Sequence, residues 1–332
     1  MPKILILRFS SIGDIVLTTP VVRCIKQQVP DAELHYCTKQ AFRGILEPNP
    51  YIDKVHTLGE NLSELVQQLK AENFDFVVDL HNNLRTTIIK TRLGRPSKSF
   101  DKLNLEKWLM VNLKVNRLPD VHIVQRYLAA AAPLGIHDDG QGLDYFIPAD
   151  AEVAVDSLPA GFQNGYVAFA IGAQHYTKRL PVKRIIELCA QLQQPIILLG
   201  GKEDAIVGEE IAAHFGQTTF SNQQSTIIYN ACGKYSLAGS ASIVRQAQQV
   251  VSHDTGLMHI AAAFQKDIIS VWGNTIPEFG MYPFRTRYKV LEVNGLPCRP
   301  CSKIGYSKCP RGHFKCMNDI DFSAIERQPY KV

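Results

Sequence analysis

Short aliphatic runs, each closed by a polar or glycine-bearing turn and followed by a helical stretch, recur along this chain, and the series runs through twice. A strand buried on both faces reads as a near-continuous aliphatic run. Repeated strand–turn–helix units therefore confine the chain to α/β folds built on parallel sheets. The first series predicts strands at 3–9, 32–37, 54–58 and 74–80, with helices at 15–28, 39–46, 61–71 and 122–132. Pro20 falls inside the first of these helices and should kink it or mark its true first turn. Residues 135–148, with three glycines and three aspartates, read as a linker. The second series predicts strands at 166–171, 195–199, 249–252, 267–273 and 288–293, with helices at 182–192, 203–214 and 236–246. A chain of 332 residues is longer than one compact core usually holds. Two domains are expected, 1–150 and 151–332.

Composition narrows the class. Hydrophobic residues make up 45% of the chain, as in a globular protein. No apolar run approaches the ~20 residues a membrane-spanning helix needs. The amino terminus passes directly into Ile4-Leu5-Ile6-Leu7, which reads as a strand rather than a signal peptide, so a cytoplasmic protein is expected. The net charge of +5 is unevenly placed: nine Lys or Arg lie between Arg85 and Arg117, against Asp101 and Glu106. Such an excess suits an anionic partner or an anionic membrane surface, and equally a solvated face. No nucleic-acid recognition motif accompanies it, so a nucleic-acid partner is not expected.

In open α/β sheets ligands sit at the carboxyl ends of strands, and five turns there carry polar residues, one of them Asp79-Leu80-His81-Asn82-Asn83 after the strand at 74–80, which should face the cleft. Ser10-Ser11-Ile12-Gly13-Asp14 follows the first strand. It contains no G-x-G-x-x-G, which argues against a dinucleotide cofactor. Asp14 is either a side chain presented to a ligand or the cap of the following helix. Gly172-Ala173-Gln174 leads to Lys178-Arg179-Leu180-Pro181, and a lysine beside the free N–H groups of a helix start suits a diphosphate. The alternative is a solvated surface lysine. Gly200-Gly201-Lys202-Glu203-Asp204 is a glycine turn with two carboxylates. In Ser252-His253-Asp254-Thr255-Gly256-Leu257-Met258-His259, Asp254 or Thr255 can cap a helix whose N–H groups attract phosphate. Gly256 would let a ligand approach the backbone, and His259 shares a helix face with Thr255. The plainer alternative is an ordinary strand–helix corner. In the tail, Cys298-x2-Cys301-x7-Cys309-x6-Cys316 has the count of a tetrahedral site for Zn or Fe, with four free thiols as the alternative.

The segment D-T-G-x-x-H-x-A-A at 254–262 and the opening at 6–16 resemble the signatures of the ADP-heptose:lipopolysaccharide heptosyltransferases, glycosyltransferase family 9, of the heptosyltransferase II kind. The Lys-Arg-x-Pro turn at 178–181 and the glycine–acid turn at 200–204 resemble two further family segments in the same order. Leu180 stands where the family usually has Trp. The resemblance implies a GT-B fold of two Rossmann-like domains and an inverting glycosyltransferase moving L-glycero-D-manno-heptose from ADP to the inner core of lipopolysaccharide. It implies Asp14 as general base and Lys178 on the donor phosphates. It places Ser10, Gly13, Gly172, Ala173, Gln174, Gly201, Glu203, Tyr235, Asp254, Thr255, Gly256 and His259 around the donor, with Glu203 on the ribose and Tyr235 near adenine. Catalysis would need no metal or other cofactor. Some relatives carry a cysteine-rich tail, and one related group holds iron on four cysteines, so Cys298, Cys301, Cys309 and Cys316 are expected to be structural. The implied partners are an ADP-heptose donor, a lipopolysaccharide core or lipid A acceptor, and the inner-membrane surface. A GT-B nucleotide-sugar epimerase or hydrolase, and a zinc-dependent nucleic-acid binder, are the competing readings.

Overall fold

The structure, a computed structural model, describes residues 1–216 and 226–332. In chain order the first half carries β1 (Lys3–Leu7), α1 (Ile12–Val16), α2 (Thr19–Gln28), β2 (Glu33–Lys39), α3 (Arg43–Leu46), β3 (Lys54–Leu58), α4 (Leu62–Ala71), β4 (Phe76–Asp79), α5 (Leu84–Leu93), β5 (Ser97–Ser99), α6 (Asn104–Trp108) and α7 (Ile123–Ala131). The second half carries β6 (Val167–Ala170), α8 (Val182–Leu192), β7 (Ile196–Leu199), α9 (Ala205–Gly216), β8 (Ile228–Asn230), α10 (Leu237–Gln246), β9 (Gln249–His253), α11 (Gly256–Ala263), β10 (Asp267–Trp272), β11 (Tyr288–Glu292), α12 (Lys315–Asn318) and α13 (Ala324–Arg327).

These elements form two compact units. Unit 1 comprises Met1–Leu103 and Val121–Phe146, and unit 2 comprises Asn104–Asp120 and Ile147–Val332. The basic stretch is thus divided: α5 belongs to unit 1, and the segment from Asn104 to Asp120 to unit 2.

The sheet of unit 1 has the order β3-β2-β1-β4-β5, all pairs parallel. The sheet of unit 2 has the order β11-β10-β9-β6-β7-β8, again all parallel. Counted from its own first strand, each sheet runs 3-2-1-4-5, and unit 2 adds a sixth strand. This is the Rossmann order, with its switch point between β1 and β4 in one unit and between β6 and β9 in the other. Two such units are the GT-B architecture. The aliphatic runs are fully enclosed: Ile4, Leu5, Ile6 and Leu7 in unit 1, and Ile196, Ile197, Leu198 and Leu199 in unit 2, have no exposed surface. Helices on both faces enclose them, which is why these runs do not alternate.

Several expectations are corrected. The helix expected at 15–28 is two helices. The first starts at Ile12, and Pro20 lies at the start of α2, where a missing N–H costs nothing. The helix expected at 39–46 is the end of β2, a 3-10 turn and the short α3. Edge strands β5 and β8 were not expected; both are three residues long, too short to show a run. The expected linker at 135–148 is largely a fastened part of unit 1. The buried Arg23 of α2 bonds to Asp139 (2.6 Å), to Asp144 and to the Gly142 carbonyl (2.9 Å). Buried guanidinium charge of this kind persists where carboxylates and carbonyls satisfy its donors.

Candidate active site

In unit 1, the turn after β1 is organised by a buried arginine. Arg8 donates to the Ser10 carbonyl (2.7 Å), the Leu80 carbonyl (2.5 Å) and the Tyr127 hydroxyl (2.9 Å). Its remaining nitrogen lies 2.5 Å from Asp14 Oδ1. Asp14 Oδ2 accepts from the Ser11 backbone N–H (3.1 Å) and the Ser11 hydroxyl (2.7 Å). Asp14 is therefore not in the loop after the strand. It sits in the first turn of α1 and reaches back to the residue before the helix, a reciprocal cap. Asp14 caps the helix, and it lies at the carboxyl end of a central strand beside the switch point. Ser10 and Gly13 belong to the same turn.

The neighbouring turn after β4 is built from Asp79, which is fully buried. It pairs with Lys90 (2.8 Å) and accepts from the N–H groups of His81 (3.0 Å) and Asn82 (2.7 Å), so it fixes the backbone rather than facing a ligand. Burial, followed by the charge of Arg8, lowers the pKa of His81 to about 4, so the ring is neutral at pH 7. A cavity of about 380 Å³ in unit 1 is lined by residues that include Lys39, Leu58, Glu60 and Arg85, at the carboxyl ends of β2 and β3 and the start of α5.

In unit 2, the switch point joins two turns that the sequence keeps far apart. β6 and β9 are parallel neighbours, so the turns that follow them leave the sheet side by side. Lys178 Nζ lies 2.6 Å from Asp254 Oδ2 and 3.2 Å from the Asp254 carbonyl, across 76 residues of sequence. Thr275, after β10, donates to the same Oδ2 at 3.0 Å. Arg299 in turn holds the Thr275 carbonyl (2.9 Å), the Gly273 carbonyl (2.7 Å) and Glu292 (2.6 Å). The α11 helix begins at Gly256 with Thr255 as its N-cap, and Thr255 makes no side-chain capping bond. The lysine thus meets the chain at Asp254, two residues before α11 begins. A cation and a helix start at one sheet edge form an anion-binding arrangement.

Two residues that sequence reasoning passed over hold this edge together. His253, the last residue of β9, is completely buried and accepts from the Leu180 N–H at 3.0 Å, which fixes the Lys178 turn against β9. Burial drives its pKa down to about 3. A polar residue ending an otherwise aliphatic strand was the available signal. Arg179 donates to the Ala173 carbonyl (2.6 Å) and to Asp204 (3.2 Å), and Asp204 accepts from the Gly201 N–H (2.9 Å). The turns at 172–174, 178–181 and 200–204 are thereby one connected surface. A Cβ on Gly172 would lie 2.2 Å from Asp204 Oδ2, so any side chain there displaces the carboxylate that holds Arg179 and the Gly201 N–H.

The structure brings together Gly172, Ala173, Lys178, Gly201, Asp254, Thr255 and Gly256. The two acids of the 200–204 turn differ: Asp204 is buried in the network and Glu203 is exposed. Gln174 is also exposed, and Tyr235 is half-buried at the start of α10. His259 is buried, with 2% of its surface exposed, so it supports α11 from within while Thr255 stays half-exposed.

The tail cysteines lie in one neighbourhood of unit 2. After burial, the nearby sulfurs of Cys298, Cys301 and Cys309 raise the Cys316 thiol to about 12, and those of Cys298 and Cys309 raise that of Cys301. Cys298 Sγ is 3.8 Å from His313 Nε2. Lys114 reaches from the 104–120 segment to the Pro300 carbonyl (2.6 Å) and the Cys298 carbonyl (3.4 Å), pinning that segment to the cysteine loop.

Comparison with known proteins identifies the family and the fold. A family model described as glycosyltransferase family 9 (heptosyltransferase) matches residues 62–309. Lipopolysaccharide heptosyltransferase 1 of Campylobacter coli is 23% identical over 299 residues, covering 82% of this chain and 84% of its own. Among solved structures, a glycosyl transferase family 9 protein from Veillonella parvula superposes with a TM-score of 0.70 at 21% identity, covering 88% of this chain and 86% of its own. The ADP-heptose lipopolysaccharide heptosyltransferase II of E. coli gives 0.67 at 21% identity, covering 98% of this chain and all (100%) of its own.

Proposed function

Because the chain belongs to glycosyltransferase family 9, the heptosyltransferases, we propose that this glycosyltransferase moves L-glycero-D-manno-heptose from its ADP-activated form to a sugar of the inner lipopolysaccharide core, with inversion at the anomeric carbon. The observation that carries this reading is the meeting of Lys178 with the Asp254–Gly256 helix start at the switch point of unit 2. The donor diphosphate binds there, on the lysine and the first N–H groups of α11. Asp254 is negative and already engaged by Lys178 and Thr275, so it sets the turn and reaches a donor hydroxyl rather than phosphate. Glu203 accepts from the ribose, and Tyr235 borders the adenine.

Asp14 takes the proton from the acceptor hydroxyl as the new C–O bond forms at the anomeric carbon. The bond from that carbon to the phosphate oxygen breaks, and the electron pair leaves with ADP. Lys178 and the α11 N–H groups stabilise the charge that develops on the leaving diphosphate, the task a divalent ion would otherwise perform. The Lys39 and Arg85 cavity of unit 1 offers cationic groups to an anionic acceptor.

The enzyme works at the cytoplasmic face of the inner membrane. No helix among the described residues is long and apolar enough to cross a membrane. Leu105, Trp108 and Leu113 are 65%, 53% and 57% exposed in the segment that also carries Lys107 and Arg117, which suits contact with anionic lipid headgroups. The four tail thiols have the donor chemistry of a structural Zn or Fe site held by Cys298, Cys301, Cys309 and Cys316, and since no three of their sulfurs lie within 4.8 Å of one another the loop would draw in around the ion.

The test is incubation with ADP-heptose, with and without a lipid A-linked core acceptor, following ADP release and the mass of the acceptor. Transfer predicts ADP release that depends on acceptor and one added heptose. Equal ADP release without acceptor would establish a hydrolase instead.

A further inference from the structure

Unit 1 holds a second group of ligating side chains that no step of the transfer uses. His35 on β2 and His56 on β3 are buried, with 0% and 6% of their surfaces exposed. His35 Nδ1 lies 2.9 Å from His56 Nε2. Glu72, the residue after α4, brings Oε1 to 4.0 Å from the same His56 nitrogen. Among the described residues this is the one group of three His, Cys or carboxylate ligands whose atoms lie within 4.8 Å of one another. Phe74 packs edge-on to both imidazoles, with centroids at 5.1 Å and 6.3 Å, and helps fix their planes.

Hydrogen bonding orients the rings. His35 Nε2 lies 2.7 Å from Glu33 Oε1. An ionised carboxylate only accepts, so this nitrogen carries the proton and Nδ1 presents its lone pair toward His56 and Glu72. A carboxylate on the far nitrogen is the arrangement that steers an imidazole onto a metal ion. His56 is held neutral, its pKa lowered to about 4 by burial and then by His35. Glu72 is held ionised, its pKa lowered to about 2, first by the hydrogen bond from Lys54.

We propose that His35 Nδ1, His56 Nε2 and Glu72 form a binding site for a divalent transition-metal ion of the zinc class, with Glu33 holding His35 from behind. Two neutral imidazoles and one carboxylate, with water as the fourth ligand, is a donor set that zinc accepts. Zinc–ligand distances of about 2.0–2.2 Å space adjacent donors by roughly 3.3 Å in a tetrahedral shell. The observed 2.9 Å and 4.0 Å each need to change by less than about 1 Å. On binding, the ion replaces the hydrogen bond between the two histidines, and the His56 proton sits on Nδ1. Lys54, with 53% of its side chain exposed, turns from Glu72 into solvent. Lys3, 3.3 Å from Glu72 and 3.0 Å from Glu33, continues to offset the carboxylate charge.

The site lies toward the amino ends of the strands: Lys3 pairs in register with Glu33, Leu5 with His35, and His35 with Lys54. Asp14 lies at the opposite, carboxyl edge of the same sheet. The ion would therefore join β2, β3 and the end of α4 without entering the reaction.

The experiment is a zinc chloride titration of ¹⁵N-labelled full-length protein, with metal already on the tail thiols measured first by elemental analysis. One equivalent should shift the ring nitrogens His35 Nδ1 and His56 Nε2 to metal-bound positions. Cobalt(II) in place of zinc should give visible bands from this site without a thiolate charge-transfer band. Glu72→Gln and His56→Gln should each weaken the equivalent by at least about 10-fold. Histidine ring nitrogens that stay unmoved at excess zinc would overturn the proposal, as would unchanged affinity in Glu72→Gln. The ring signals are read in the unsubstituted protein, so a misfolded variant leaves the result decisive.

Discussion

The two units share one sheet topology but build their switch points differently. In unit 1, Asp14 is held by residues close in sequence, Ser11 and Arg8. In unit 2, Asp254 is held by Lys178 and Thr275, which come from two other strand–helix turns. The direct partners of Asp14 are local, and the long-range bonds to Leu80 and Tyr127 are made one step removed, by Arg8. A carboxylate held across 76 residues reports whether three separate turns are in place. The difference matches the proposed division of work: proton removal needs one fixed group, whereas seating a nucleotide sugar needs several turns aligned together.

The largest expected effect falls on the local site. Asp14→Asn keeps the Ser11 cap geometry but removes the base, and should lower turnover by roughly 10²–10⁴ with ADP affinity unchanged. Steady-state rates and ADP calorimetry check this together. A variant that turned over near the wild-type rate would leave Asp14 as a helix cap only.

Lys178→Ala should weaken ADP binding by roughly 10- to 100-fold, the range for a lost hydrogen bond to a charged group. Turnover should fall as well, because the same contact strengthens as ADP leaves. Unchanged ADP affinity and rate would place the lysine in a structural pair with Asp254 and nothing more.

Acid should loosen unit 2 through His253. Its folded pKa is lowered to about 3 against an unfolded value near 6.5, so the unfolded chain binds the proton more readily between those limits. The contribution of this group is complete above about pH 6.5 and is lost progressively toward pH 3, at about 1.4 kcal/mol for each pH unit in that window. Urea melts at pH 7 and pH 5, where most carboxylates stay ionised, should show the loss. His253→Asn, which cannot titrate, should make the slope shallower, with His81 and His56 of unit 1, also held neutral by burial, supplying what remains; equal slopes in both proteins would assign the pH dependence elsewhere.

Thr275→Val removes one of the distant partners of Asp254 while keeping shape, and should raise the KM for the donor only a few-fold, about 0.5–1.5 kcal/mol. An effect as large as that of Lys178→Ala would mean the threonine touches the donor itself. The smallest effect is expected from EDTA: transfer should continue undiminished, because protein groups stabilise the leaving diphosphate. A rate that collapsed with chelator and returned with magnesium would replace Lys178 in that role.

Much of this was legible in the sequence where the signal is local. The enclosed strands announced themselves as aliphatic runs, such as Ile4–Leu7, because both faces are covered. The turns at 10–14, 172–181, 200–204 and 252–256 could be placed at strand ends for the same reason. Short edge strands escaped notice: Ser97-Lys98-Ser99 is polar and half-solvated, with no run to detect. Pro20 marks the first turn of α2, one of the two outcomes its position allows, but the separate helix before it carries no signal of its own, since a proline at a first turn and one in a kink look alike. Partnerships across the chain were not legible at all. Nothing near Arg23 points to Asp139 and Asp144, and nothing near His253 points to the Leu180 backbone. Such pairs follow from strand order, which is fixed by the whole sheet.

The central claim is that the donor diphosphate rests on the helix start after β9, beside Lys178. A crystal structure of the protein soaked with ADP tests it most directly. The account predicts phosphate oxygens within roughly 3.5 Å of Lys178 Nζ and of at least one N–H or hydroxyl of residues 254–257. Diphosphate bound elsewhere, with no donor from 254–257 or Lys178 inside that distance, would contradict it.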